Sequence, residues 1–131
     1  MSTKSKGINA ERELIHMFWK KEGWAAIRIA GSGSSRYPSA DVIASNSVRR
    51  IAIESKITKE NSKYFSKEEI GDFKTFCMRF GSESWIAVKF NKNPWKFLSL
   101  EDLEQTSSNY CISLNLANKK GLSFDELIGN F

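Results

Sequence analysis

Histidine is almost missing from this chain, with His16 alone among 131 residues, and cysteine is scarce, with Cys77 and Cys111 sharing no CxxC spacing. One imidazole and two scattered thiols cannot supply four ligands at workable spacing, which excludes a structural zinc site. Unpaired thiols of this kind read as small buried hydrophobes of an intracellular protein. Long apolar runs are missing too. None approaches the ~20 residues needed to span a bilayer, and the basic start Met1–Lys6 leads into no apolar signal segment. No membrane partner and a cytoplasmic location are therefore expected. Gly31-Ser32-Gly33-Ser34 has no Lys-Ser/Thr helix start behind it, so a nucleotide P-loop and a nucleotide cofactor are rejected. The four tryptophans form no regular stacking platform of the single-strand-binding kind. There is no internal repeat and no boundary signal. Two cores would each be uncomfortably small at this length, so residues 1–131 are read as one domain, with 1–6 a flexible basic arm.

What is present is an ordinary globular balance, 40% hydrophobic and 27% charged, with an excess of base. Lys and Arg number 20 against 15 Asp and Glu, a formal charge of +5. Nucleic acid is the commonest anionic partner for such a chain. The bases gather where side chains reach a phosphate backbone: Lys4 and Lys6 in the arm, Arg36 in the Gly/Ser loop, Arg49 and Arg50 at a strand start, and Lys59, Lys63 and Lys67 in a polar connection.

Apolar spacing predicts a helix over 9–22, with Leu14, Ile15 and Phe18 inward and Gly23 as its stop. Glu11 lies on that same inner face, where a carboxylate needs a partner. His16, flanked by Ile15 and Met17, reads as a surface residue. Strands follow at 24–29, 40–44 and 49–57, close enough for an antiparallel meander with a turn at Asn46-Ser47. Ser66 with Glu69 predicts a capping box for a second helix burying Ile70, Phe73, Cys77 and Phe80, which Gly81 ends. Two more strands (85–90 and 95–100), a short helix at 101–104, a strand at 110–114 and a last helical turn at 124–128 complete the pattern. The fold class is mixed α/β, with a single central mixed sheet flanked by helices.

Chemistry is carried by charges that a core would not choose. Asp41 opens a strand of Ala, Val and Ile. Glu54 and Lys56 interrupt the next strand two residues apart, so both point to one face with Cα atoms about 6–7 Å apart. Asp41 on a neighbouring strand reaches the same patch, and Glu11 closes it from the helix. Clustered carboxylates ask for a cation, and oxygen ligands without histidine suit Mg²⁺ or Mn²⁺. Lys56 beside them can serve an attacking water or offset charge on a phosphoryl group.

Asp41 followed by Glu54-Ser55-Lys56 resembles the PD-(D/E)xK nuclease signature, with Pro38 three residues ahead of the aspartate. Lys6-Gly7, Glu11-Arg12-Glu13-Leu14, Gly23-Trp24 and Arg28-Ile29-Ala30-Gly31-Ser32-Gly33 resemble the opening of the archaeal Holliday junction resolvases. Tyr64, Phe80-Gly81, Ala87-Val88-Lys89-Phe90 and Trp95-Lys96-Phe97 continue the likeness, which covers residues 6 to about 100. It implies a restriction-endonuclease-like αβββαβ core and a homodimer. It also implies Mg²⁺-dependent cutting of two opposing strands of a four-way DNA junction, with Mn²⁺ as a substitute, in DNA recombination and repair. Carried over, Asp41 and Glu54 would hold the metal with the Ser55 carbonyl, and Lys56 would serve the water. Glu11 would complete the site through metal or water, and Arg12 would contact phosphate. Ser32 would contact DNA near the scissile bond. DNA binding is thus expected of Lys4, Lys6, Arg12, Ser32, Arg36, Lys59 and Lys63. One departure is the proline, which stands away from the acid and leaves its usual place unfilled; Glu69 is given only a capping role. Two other readings remain: a nuclease of this fold for other branched or damaged DNA, and a non-catalytic basic DNA-binding module.

Overall fold

Helix α1, Thr3–Trp19, starts well before the apolar pattern does, because the Ser2 side chain accepts the Ser5 N–H and caps it. Lys4 and Lys6 therefore ride on a helix, which corrects the expected flexible arm over the residues that the computed structural model describes, 2–129. The helix also stops earlier than expected; Gly23, at φ +87°, turns the chain beyond it into the first strand. Leu14 and Phe18 are fully buried.

Strands β1 (Ala25–Arg28), β2 (Val42–Ser45) and β3 (Arg50–Thr58) form the expected antiparallel meander. β4 (Ser62–Ser66) and α2 (Lys67–Phe80) then cross to β5 (Glu83–Phe90), which pairs parallel with β3, and β6 (Lys96–Ser99) returns antiparallel. The mixed sheet runs β1-β2-β3-β5-β6. On one face α1 seals Val42, Ile51, Ile53, Ala87 and Phe97; on the other α2 covers Ala52, Ile86, Val88 and Leu98. β3 carries both the core and the site. It is fully buried from Ile51 to Ile53 and emerges at Glu54.

The expected single sheet is in fact two. β4 leaves the central sheet and pairs with β8 (Asn109–Ser113), which also holds the short β7 (Glu104–Gln105), giving a second three-stranded sheet. The short helix expected at 101–104 is a 3-10 turn, Leu100–Asp102. Two short helices follow, α3 (Leu114–Lys120) and α4 (Phe124–Leu127). Phe124 packs edge-on against Phe18 at 4.9 Å. Arg49 ties α4 down: its guanidinium donates to both Glu83 carboxylate oxygens at 2.8 Å and to the Leu127 carbonyl at 2.7 Å. Arg50 donates to the Gly81 carbonyl. Both arginines thus serve the fold rather than a phosphate backbone.

Ser66 caps α2 by accepting the Glu69 N–H, and Gly81 closes it at φ +81°. Ile70, Phe73 and Cys77 are buried as expected, whereas Phe80 is 46% exposed. Its ring stacks on Phe76 at 5.1 Å and borders a groove beside β1 and β2 instead of entering the core.

Candidate active site

The four charges singled out in the sequence meet at the end of β3 that leaves the core. Register explains why. Val42 pairs with Ile53, so Asp41, one residue before β2, stands across from Glu54. Its backbone is still held in the sheet, donating to the Ile53 carbonyl at 3.0 Å and accepting from the Ile29 N–H at 2.8 Å. Its carboxylate is gripped from two sides. Ser32 Oγ donates to Oδ1 at 2.7 Å, and the Ser55 N–H donates to Oδ2 at 2.9 Å. Gly31, at φ +70°, opens the 3-10 turn that swings Ser32 back toward the aspartate.

Glu54 sits against Asp41. Burial, the Asp41 charge and a hydrogen bond between the two carboxyls push its pKa from 4.5 up to about 8; Lys56 opposes the rise and Glu69 adds to it. Two carboxyls sharing a proton in a poorly solvated place are short of positive charge. Glu69 therefore has an electrostatic bearing on the site beyond capping.

Glu11 reaches the same neighbourhood from α1. Burial and then Asp41 raise its pKa, against the pull of Arg28 and Lys56. The expected trio of Glu11, Asp41 and Glu54 is nevertheless a pair plus one. Among the described residues no three acidic, thiol or imidazole groups gather closely enough to ligate one ion. Glu11 instead forms an ion pair with Arg28, Nε to Oε1 at 3.0 Å.

Arg28 is the site residue that the sequence did not single out. Its Nε is buried with no formed hydrogen bond, leaving the ion pair as its compensation. The signal was a charge in a four-residue strand on the same side as buried Ala26. Ser55 was expected to act through its carbonyl; its N–H is what the structure commits to Asp41.

A cleft of about 460 Å³ opens over these groups, and Lys4, Glu11, Arg28, Ser32, Asp41 and Lys56 are among its walls. Lys63 also lines it, carried on β4 rather than on a polar connection. Lys56 Nζ lies 6.0 Å from the Phe65 ring centroid, so an aromatic floor supports the ammonium. Lys59 lies just past β3, and Arg12 and Arg36 are exposed outside the cleft lining.

Some of the basic side chains are tied to the fold and others are not. Lys21, Arg28, Arg49 and Lys89 are ion-paired, and Arg50 and Lys67 donate to backbone carbonyls. Lys4, Lys6, Arg12, Arg36, Lys59 and Lys63, the bases expected to touch DNA, have no ion-pair partner among the described residues.

The family model for the archaeal Holliday junction resolvases (Hjc) matches residues 2–131. The chain belongs to the archaeal Holliday junction resolvase family. Within it, the chain is 39% identical to the crossover junction endodeoxyribonuclease Hjc of Archaeoglobus fulgidus, covering 96% of this chain and 97% of that one. Hjc of Sulfolobus acidocaldarius is 38% identical, over 98% of this chain and 90% of the relative. The solved structure of the A. fulgidus resolvase superposes with a TM-score of 0.86 at 38% identity, over 92% of this chain and 97% of that one. The resolvase fold accounts for the mixed sheet, so the expected α/β class with helices on the sheet stands. No helix among the described residues is long and apolar enough to cross a membrane.

Proposed function

We propose that this protein is a DNA endonuclease that resolves four-way junctions by hydrolysing phosphodiesters in two opposing strands. The observation that carries the reading is the Asp41–Glu54 carboxyl pair beside Lys56, of which Asp41 opens with Lys56 into a cleft with bases on its walls while Glu54 stays behind them.

The donor set fits a hard divalent cation. Asp41 and Glu54 can supply oxygen ligands whose joint charge Lys56 alone does not offset, and the Ser55 carbonyl can add a third oxygen; Mg²⁺ is commonly held by one or two carboxylates plus water and phosphate. When bound, Mg²⁺ or Mn²⁺ supplies Lewis-acid polarisation of a phosphoryl oxygen. The chain's own groups do the rest. Lys56 orients the nucleophilic water and offsets charge growing on the phosphoryl oxygens. Glu11, anchored by Arg28, acts from one step further out through water. Ser32 holds Asp41 in place and lies on the loop nearest an incoming strand. Losing its charge-assisted bond at 2.7 Å should slow cutting by about ten- to a hundredfold, since such bonds are worth ~1.5–3 kcal/mol. A single-turnover time course of Ser32→Ala measures this, and an unchanged rate reduces Ser32 to a loop residue.

Paired incisions call for two sites related by a two-fold axis, hence a homodimer. The groove between β1–β2 and the end of α2 is its seat. Ile27, 58% exposed, and Phe80, 46% exposed, line it with Ile43 and Ala44, an apolar face that α2 leaves uncovered. Acting on junctions places the protein inside the cell with the chromosome.

The decisive experiment incubates the protein with an immobile four-way junction and with linear duplex, each with Mg²⁺ and with chelator. Paired nicks in the junction alone, dependent on Mg²⁺, are expected. No cutting in any arm would leave a binding module. Equal cutting of flaps or three-way branches would move the substrate to branched DNA at large.

A further inference from the structure

A second cleft, of about 540 Å³, lies across α1 from the active site. Lys6 and Glu13 come to it from α1, and Thr58, Lys59 and Lys89 from the ends of β3 and β5. Thr3 and Ile57 line both clefts. Only the first turns of α1 divide them. That stretch stands away from the sheet: residues 3–6 are exposed, and the first fully buried side chain is Leu14.

The charge of the second cleft is available to a ligand. Glu13 is its one acid among the described lining residues, and it is satisfied internally. Its Oε1 accepts from Lys89 Nζ at 2.9 Å and from the Trp95 indole N–H at 2.8 Å. The trio makes a fixed wall. Lys6 and Lys59, exposed and without ion-pair partners among the described residues, are left to meet a polyanion. On the active-site flank Lys4, Lys56 and Lys63 do the same. One projecting helix thus has a basic trough on each side. A single backbone lying in the active site reaches the other trough only by climbing over the helix. Two backbones fill both, as strands do where they part at a branch; the two backbones beside a duplex major groove, wide enough to admit a helix, are the rival occupant that the duplex arm of the test separates.

We propose that the N-terminal half of α1 is a wedge between two diverging strands of a branched DNA. The strand to be cut lies in the active-site cleft, and the strand it parts from lies in the second cleft against Lys6 and Lys59. This rests on the nuclease reading above and adds to it the means by which a branch is told from a duplex: a linear arm fills one trough, a branch fills both.

The test uses the full chain carrying Lys6→Ala with Lys59→Ala, and a mirror variant carrying Lys4→Ala with Lys63→Ala. Binding to an immobile four-way junction and to linear duplex is followed by fluorescence anisotropy in chelator, over a series of salt concentrations. Circular dichroism checks that each variant is folded. For the first variant, junction Kd should rise about tenfold or more. The junction salt slope should fall by about two, at ~0.9 for each phosphate no longer neutralised, while duplex Kd moves less than twofold. The mirror variant should weaken both substrates. Equal losses on junction and duplex for the first variant, or no loss on the junction, overturn the wedge. Failure of the wild type to cut a junction with Mg²⁺ overturns the nuclease reading instead and leaves the selective loss of branch affinity measurable.

Discussion

Asp41→Asn lowers single-turnover junction cleavage by ~10³-fold or more and leaves junction affinity equal or tighter. The asparagine keeps the side-chain size and one of the two oxygens that accept from Ser32 and Ser55 at 2.7 and 2.9 Å; with that oxygen on the Ser55 N–H, its amide N–H faces the Ser32 hydroxyl, which can accept. What goes is the charge, and with it several kcal/mol of electrostatic stabilisation of the transition state. Removing a negative charge beside phosphates does not harm binding. Glu54→Gln behaves alike, and the double variant falls little further, because on the proposed reading both acids act as one unit in holding metal. Measured rates within tenfold of wild type for either single variant would dissolve the assignment of these acids to an ion.

The second large effect is on stability. Folded, metal-free protein keeps a proton on Glu54 up to about pH 8, because burial and Asp41 raise a group whose ordinary value is 4.5. The unfolded chain gives that proton up near the ordinary value. The stability this group contributes is complete below that value and is lost as pH climbs to about 8. The loss runs at ~1.4 kcal/mol per pH unit. Glu11, also raised by burial and Asp41, pulls in the same direction. Glu83, lowered by hydrogen bonds from Arg49, loses its contribution only at acid pH, outside this window. Several kcal/mol is a large share of the ~5–15 typical of a domain. Urea unfolding in chelator at pH 6 and pH 8.5 should show the drop, and Glu54→Gln should flatten it. Mg²⁺ should stabilise more at the higher pH, where less proton has to be displaced. A wild-type curve that is level between these pH values means Glu54 is ionised throughout.

The parts of the fold that the sequence disclosed are those with short-range logic. The β1–β3 meander follows from turn residues and alternation, and with it the meeting of Asp41, Glu54 and Lys56, since strand parity sets which side chains share a face. The second sheet was hidden because Ser62–Ser66 buries Phe65 while its neighbours are polar or exposed, so it reads as a connection. α3 was hidden because Ser113 ends a strand and caps a helix at once, with no breaker between. Phe80 shows the limit of periodicity: the angle round α2 puts it on the buried stripe, but burial also needs a surface opposite. The Arg28–Glu11 pair joins a strand to a helix, and neither residue announces the other.

The strut from Arg49 to Glu83 and the Leu127 carbonyl has a consequence for biosynthesis. Phe18, near the start of the chain, rests on Trp24 and Phe124, so the layer beneath α1 lacks its lid until residues of α4 have cleared the ribosome. The nascent molecule therefore carries an open apolar surface from the emergence of α1 to that of α4, and a chaperone that shields it over that interval would match the order of synthesis.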